Sequence, residues 1–303
     1  MSPHIRTYHE LEASTSDLGE QVSGQAARVT SRLSSIDRVA AVMSGKGGVG
    51  KSLVTASLAT ALARAGRRVG VIDADLNGPS IPRMLGVGSA PLLTMDDGVE
   101  PVRTADGIAV MSMSFIVKDG TALDWHEPGG ASFVWRGAQE RGALREFLAD
   151  VRWGALDVLL LDLPPGTQRL QDLHGMVPDL AGVLAVTIPS GASRDAVGRS
   201  LELCRRRGIS VFGVVENFAG TRCSSCGDIT PLYMGQAGVE LGDTFDTPVL
   251  ARLLHDAHLG LAAERGMLSD WISGGSETAR EVTALAERVG ALLVGIETGE
   301  GTT

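Results

Sequence analysis

Aromatic residues make up only 4% of the 303-residue chain, which leaves few rings on which single-stranded bases could stack. Positive charge is also short. Lys and Arg number 27 against 36 Asp and Glu, a net charge of -9, so no broad basic surface is expected for nucleic acid or anionic lipid. No apolar run approaches the roughly 18 residues of a membrane-spanning helix. The opening stretch MSPHIRTYHELEAS contains no apolar core of a signal peptide. Three cysteines are too few for a disulfide framework, and in a reducing compartment closely spaced cysteines read as metal-binding or catalytic. These absences predict a cytoplasmic protein that engages neither nucleic acid nor membrane.

Residues 1–36 are polar, rich in Ser, Glu and Gln, and form an N-terminal extension that need not be fully ordered. A marginal helix is expected over Asp17 to Leu33. From residue 37 to 303 the pattern is that of one domain. Seven short apolar runs follow: RVAAVM, RRVGVID, GIAVMSM, DVLLLDL, GVLAVTI, ISVFGVV and PVLARLL. Most of them are apolar throughout rather than alternating, as strands buried on both faces are. Helical patterns lie between several of them. KSLVTASLATALARAG ends at Gly66, and SRDAVGRSLELCRRRG has Ser193 as its expected cap and Gly208 as its stop. A third covers 136–148. The last, REVTALAERVGALL, places Val282, Leu285, Val289 and Leu292 on one face. This alternation predicts an α/β fold, a mostly parallel sheet flanked by helices.

The stretch SGKGGVGKS at 44–52 holds a G-x-x-x-x-G-K-[ST] phosphate loop, Gly45, Lys46, Gly47, Gly48, Val49, Gly50, Lys51 and Ser52, between a strand and a helix. Glycines let successive N–H groups face phosphates, and the helix dipole favours anions there. Lys51 is expected to reach the β- and γ-phosphates of ATP, and Ser52 to hold Mg²⁺. Lys46 is a second lysine in the same turn, placed to point away from its own helix. Asp73 and Asp75 follow one apolar run and Asp162 ends another, at the strand ends where open parallel sheets bind ligands. Asp73 and Asp162 are expected on the metal and Asp75 on the attacking water.

Cys223 and Cys226, in AGTRCSSCGD, have the spacing of a metal half-site. Zinc sites and [4Fe–4S] clusters both want about four ligands; one chain offers two and two chains offer four. A dithiol redox pair is the competing reading. Cys204 lies on an apolar helical face with Val197 and Leu201 and reads as core. His255 and His258 are three apart and read as a surface pair on a helix.

With both lysines in place, the loop resembles the deviant Walker A loop of the MinD, ParA and nitrogenase iron-protein superfamily of P-loop NTPases. That resemblance implies an ATP-dependent homodimer in which Lys46 contacts the partner's nucleotide. The ordered set SGKGGVGKS, DADLNGPSIPRMLG, VWRG, RWGALD, DLPPGT, VVENF and CSSCG resembles the Mrp/ApbC-type iron–sulfur cluster carrier ATPases over roughly residues 38 to 266. It implies slow ATP hydrolysis, with Lys46, Lys51 and Asp75 as its catalytic residues. It also implies a [4Fe–4S] cluster bridging two subunits and passed to apo-proteins, and Asn217 reading the adenine base. The chain departs from that pattern at Gln168 and Arg169, where Gly-Asp is common, and at Leu53, Ser57 and Ser190. Other readings of the same features are a MinD- or ParA-like positioning ATPase, an ATPase dimer holding structural zinc, and a chaperone for another metal. The acidic tail IETGEGTT lacks the basic amphipathic character of a membrane-targeting helix.

Overall fold

The computed structural model describes residues 18–76, 78–88, 90–116 and 132–295, with side chains from 24 and, within the last segment, from 140. The rest of the extension, the tail from 296 and the VWRG side chains lie outside the described residues.

In chain order the elements begin with α1 (Leu18–Leu33), β1 (Val39–Ser44), α2 (Lys51–Arg64), β2 (Val69–Asp73) and α3 (Ile81–Met84). A small hairpin, β3 (Leu93–Met95) with β4 (Gly98–Glu100), leads to β5 (Val102–Arg103), β6 (Ala109–Ser112) and α4 (Ser132–Asp150). The alternation then resumes with β7 (Val158–Asp162), α5 (Gln168–Met176), β8 (Gly182–Thr187), α6 (Gly191–Arg207) and β9 (Val211–Glu216). A second hairpin, β10 (Thr221–Arg222) with β11 (Ile229–Thr230), precedes α7 (Ala237–Phe245), β12 (Val249–Arg252), α8 (Ala257–Glu264), α9 (Leu268–Ser273) and α10 (Glu277–Gly295).

Eight strands form one sheet in the order β12-β9-β8-β1-β7-β2-β6-β5. All its pairings are parallel except β5 on β6. β1, β2, β7 and β8 are buried at every position, which explains why their sequences do not alternate. The core has two layers. On one face α2, α8, α9 and α10 pack through Leu58, Leu62, Leu259, Leu268 and Val282. On the other lie α1, α4, α5 and α6, with Val29, Phe147, Leu148, Leu170 and Leu201. All seven apolar runs are strands.

Part of the polar extension belongs to this second layer. Val29 of α1 is buried, and α1 lies along α4, where Arg32 donates to the Ala149 carbonyl at 3.2 Å and Arg145 reaches Gln25. Three local expectations change. The cap of α6 is Ser190, whose hydroxyl accepts from the Ser193 N–H. Ser193 itself is buried, its hydroxyl 2.9 Å from that of Thr187. On α10 the core-facing fourth residue is Leu293, while Leu292 is exposed. His255 precedes α8 rather than lying on it, and its backbone bridges Thr221. Gly66 and Gly208 do stop their helices, both at positive φ, where a Cβ is disfavoured.

Candidate functional site

The phosphate loop joins β1 to α2 at the C-terminal edge of the sheet. Gly50 caps α2 with φ 79°, and Gly48 also has positive φ. Gly45 lies so close to α6 that a methyl there would overlap the Ala196 backbone. The loop is therefore clamped from one side by α6 and from the other by Asn217. The Asn217 side chain is buried, and its amide donates to the Val49 carbonyl at 3.0 Å. This leaves the side-chain carbonyl as the group that could read a base.

Beneath the loop lies a buried charge cluster. Lys51 Nζ is 2.6 Å from Asp162 Oδ2, with both side chains buried. The same carboxylate accepts from Ser52 Oγ at 2.6 Å and from Thr55 Oγ1 at 2.7 Å. Asp73 stands beside Asp162 in the register of β2 and β7. It accepts from the Ser80 and Ile81 N–H groups at 2.8 and 3.0 Å. Burial first, and then the Asp162 charge, push the Asp73 carboxyl up to about 7, against the pull of these N–H groups and Lys51. Two carboxylates and one ammonium leave the pocket with net negative charge, which suits a divalent cation.

Asp75 does not continue the strand. β2 ends at Asp73, the chain turns, and half-buried Asp75 accepts from the Gly78 N–H at 3.3 Å. The two carboxylates are therefore held by different turns rather than sharing one face of an extended segment. Lys46 is half-buried, and its ammonium has no ion-pair partner among the described residues. The loop after β7 reaches back to the phosphate loop through Gly166 N–H to the Ser44 carbonyl at 3.0 Å. Behind it, Arg169 is ion-paired with Glu140 and with Asp172.

The cysteines lie at the same edge, beyond the C-terminus of β9. The segment Cys223–Asp228 is the turn of the β10–β11 hairpin, closed by Cys223 N–H to Asp228 O at 2.8 Å and Gly227 N–H to Cys223 O at 2.9 Å. Both thiols are exposed. Backbone N–H groups of Cys226 and then Ser225 face the Cys223 sulfur and hold its thiol below the usual range. N–H groups turned onto sulfur favour thiolate, the form that binds metal. Among the described residues no three of His, Cys, Asp and Glu are placed together to hold a metal ion, and the turn offers the two thiols of Cys223 and Cys226. Exposed apolar side chains continue along the chain from it: Ile229, Leu232, Tyr233 and Met234, the last 95% exposed. Cys204 is buried in the core, and its thiol is pushed up to about 12 by burial.

Two contributors were not singled out from sequence. Thr55 lies one turn after Ser52, on the side of α2 that meets β7. Glu216 is a fully buried carboxylate ending β9, where it accepts from Gly238 N–H at 2.7 Å and pairs with Arg252 at 2.8 Å. Its signal was the same as for Asp162, an acid closing an apolar run.

The ParA family profile, described as NUBPL iron-transfer P-loop NTPase, matches residues 35–290. The chain belongs to this family. It is 35% identical over 274 residues to the iron-sulfur cluster carrier protein of Saccharolobus solfataricus, covering 90% of this chain and 89% of that one. It is also 35% identical to the human cytosolic Fe-S cluster assembly factor NUBP2, covering 88% and 96%. A nucleotide-binding protein of Archaeoglobus fulgidus, solved in complex with ADP and with cobalt found in it, superposes with TM-score 0.68 at 34% identity, covering 81% and 93%. The cell-division ATPase MinD of Pyrococcus furiosus, at 24% identity and TM-score 0.58, shares the fold. The mostly parallel sheet and the P-loop NTPase class of this family member are thereby established. No helix among the described residues is long and apolar enough to cross a membrane.

Proposed function

We propose that this family member is a cytoplasmic, ATP-hydrolysing iron–sulfur cluster carrier that works as a homodimer. Each copy contributes Cys223 and Cys226 to one [4Fe–4S] cluster, which is cargo delivered to apo-proteins. The observation that carries this reading is the exposed cysteine half-site, built with N–H groups toward sulfur, on the same sheet edge as the phosphate loop. A two-fold interface presents the same patch from both copies, so two half-sites make a four-thiolate set. The exposed apolar residues 229 and 232–234 would be covered by that contact.

The nucleotide chemistry follows from the cluster under the loop. The backbone of Gly45 to Lys51 and the α2 N-terminus cradle the phosphates. Lys51, now paired with Asp162, turns to the phosphate oxygens when these offer the stronger charge. Ser52, Asp162 and Asp73 fit Mg²⁺: a hydroxyl and two carboxylates meet in a buried pocket, where burial and then the Asp162 charge already raise Asp73. Mg²⁺ would neutralise charge on the phosphate oxygens. Asp75, outside this pair, positions the attacking water. Lys46 serves the partner's nucleotide, and Asn217 offers its carbonyl to the base.

The test is anaerobic reconstitution with iron and sulfide. The wild type should turn brown with about four iron and four sulfide per dimer, and the Cys223→Ser/Cys226→Ser double variant should stay colourless while still binding ATP. Iron retained by that variant, or zinc in place of iron in wild type purified without oxygen, would refute cluster carriage. Hydrolysis should be lost in Lys51→Ala and Asp75→Ala.

A further inference from the structure

Phe218 has φ 55°, a left-handed conformation that bulky side chains avoid. Such strain persists only where the surroundings over-determine it, and it gathers at switch and binding regions. The surroundings here are specific. On one side Asn217 fixes the elbow, its N–H donating to Thr187 O at 2.8 Å and its side chain to Val49 O at 3.0 Å. On the other side Ala219 N–H donates to Leu253 O at 2.9 Å. The Phe218 ring lies against Gly50, where an added Cβ would come within 3.2 Å of it. Its other neighbour is the His255 ring, with centroids 5.8 Å apart and planes tilted by 52°. His255 in turn receives the cysteine hairpin: its N–H donates to Gly220 O at 2.8 Å, and it bridges Thr221. Cys223 is two residues further on.

From this we infer that Phe218 is a positioning residue linking the phosphate loop to the cysteine turn, its ring in contact with both Gly50 and His255. The inference deepens the carrier reading above and rests on it. When nucleotide moves the loop at Gly50, the ring moves with it, and His255 hands the displacement to the strand that bears Cys223. A strained elbow suits this task, because a small push changes the balance between two backbone states. The glycine at 50 is required by the same contact, since any side chain there would displace both Asn217 and Phe218.

The experiment uses the full chain without cluster, at concentrations where light scattering shows a monomer. Iodoacetamide alkylation of Cys223 and Cys226 is followed by peptide mass spectrometry with and without saturating MgADP, with binding checked separately by a fluorescent nucleotide. In wild type, MgADP should change the alkylation rate by roughly fivefold or more, the lower range of coupling between linked sites. Phe218→Gly accepts the left-handed backbone without strain and removes the ring; its ratio should fall towards unity. His255→Ala keeps the backbone bridge but removes the second ring and should do the same, which guards against a folding defect in either variant. A wild-type ratio retained in Phe218→Gly, or wild-type rates indifferent to bound MgADP, would overturn the link while leaving the carrier reading intact. Failure to bind any nucleotide would overturn both.

Discussion

Removing the charge of Asp162 tests the energetics of the site directly. At 2.6 Å from Lys51, opposite unit charges in an effective dielectric of about 20 attract by roughly 6 kcal/mol. Desolvation of two buried groups takes back most of this, so the pair as a whole is worth little. Breaking it from one side is different: Asp162→Asn leaves the Lys51 ammonium buried, at a cost of about 3–5 kcal/mol. Asp73 softens the blow. Its carboxyl is raised partly by Asp162; with that charge gone it ionises more readily and can neutralise Lys51. The expected loss is therefore about 2–3 kcal/mol, with Lys51→Met alone costing a similar amount through the unpaired carboxylates. The double variant Lys51→Met/Asp162→Asn should cost clearly less than the sum, by about 1–3 kcal/mol of coupling. Urea unfolding of the nucleotide-free protein measures this, followed by circular dichroism and by Trp153, whose fully buried indole donates to Phe147 O and reports on the core. Additivity of the two single changes within about 0.5 kcal/mol would refute the picture of a paired charge cluster.

Two further outcomes follow from the same geometry. Gly45→Ala drives a methyl into the Ala196–Val197 backbone of α6 and should destabilise the fold by about 1–3 kcal/mol while abolishing nucleotide binding, read by urea midpoint and by titration with a fluorescent nucleotide. Asp73 sets a pH dependence: its folded carboxyl is raised to about 7, above an unfolded value near 4, so the folded state holds the extra proton between those limits. Stability from this group is then complete below about pH 4 and lost as pH rises through about 7; Asp73→Asn should flatten that part of the urea-midpoint profile in nucleotide-free protein, and an unchanged slope would contradict the assignment.

The parts of the molecule that could be read from sequence are those where one physical requirement dominates. Strands buried on both faces must be apolar at each position, so the runs ending in Asp73 and Asp162 declared both the sheet and its ligand edge. The phosphate loop was legible because its glycines, lysine and serine each answer a separate demand of the phosphate. Legibility fails where two solutions satisfy the same local rule. Ser190 and Ser193 can both cap a helix, and the choice fell to Ser190 because Ser193 is needed inside, against Thr187. Leu292 and Leu293 differ by one helical step, and the drift of a 3.6-residue period over 19 residues decides between them. Asp75 looked like a continuation of β2 because nothing in IDADL marks the turn; the turn is made by backbone N–H groups of Ser80 and Ile81 closing onto Asp73. The antiparallel edge strand β5, two residues long, is too short to leave a pattern.

The most informative mismatch is the loop behind Asp162. Against the family pattern, Gln168 and Arg169 read as the loss of a small, mobile Gly-Asp pair. In the fold, Arg169 is nearly buried and ion-paired with Glu140 of α4 and Asp172 of α5, while Gly166, three residues earlier, bonds to the end of β1 at Ser44. The loop after β7 is thus tied to a helix outside the phosphate loop. Any motion of Gly166 on phosphate binding has either to carry α4 along or to break a nearly buried ion pair. The elbow at Phe218 is held by backbone hydrogen bonds at Asn217 and Ala219 rather than by an ion pair, and its ring meets Gly50 and His255. Two connections thus leave the phosphate loop, one through Gly166 and α5 and one through Asn217 and Phe218, and the cysteine turn follows the second. That placement is why the proposed link between phosphate loop and cysteine turn runs through the end of β9 rather than through the loop that follows Asp162.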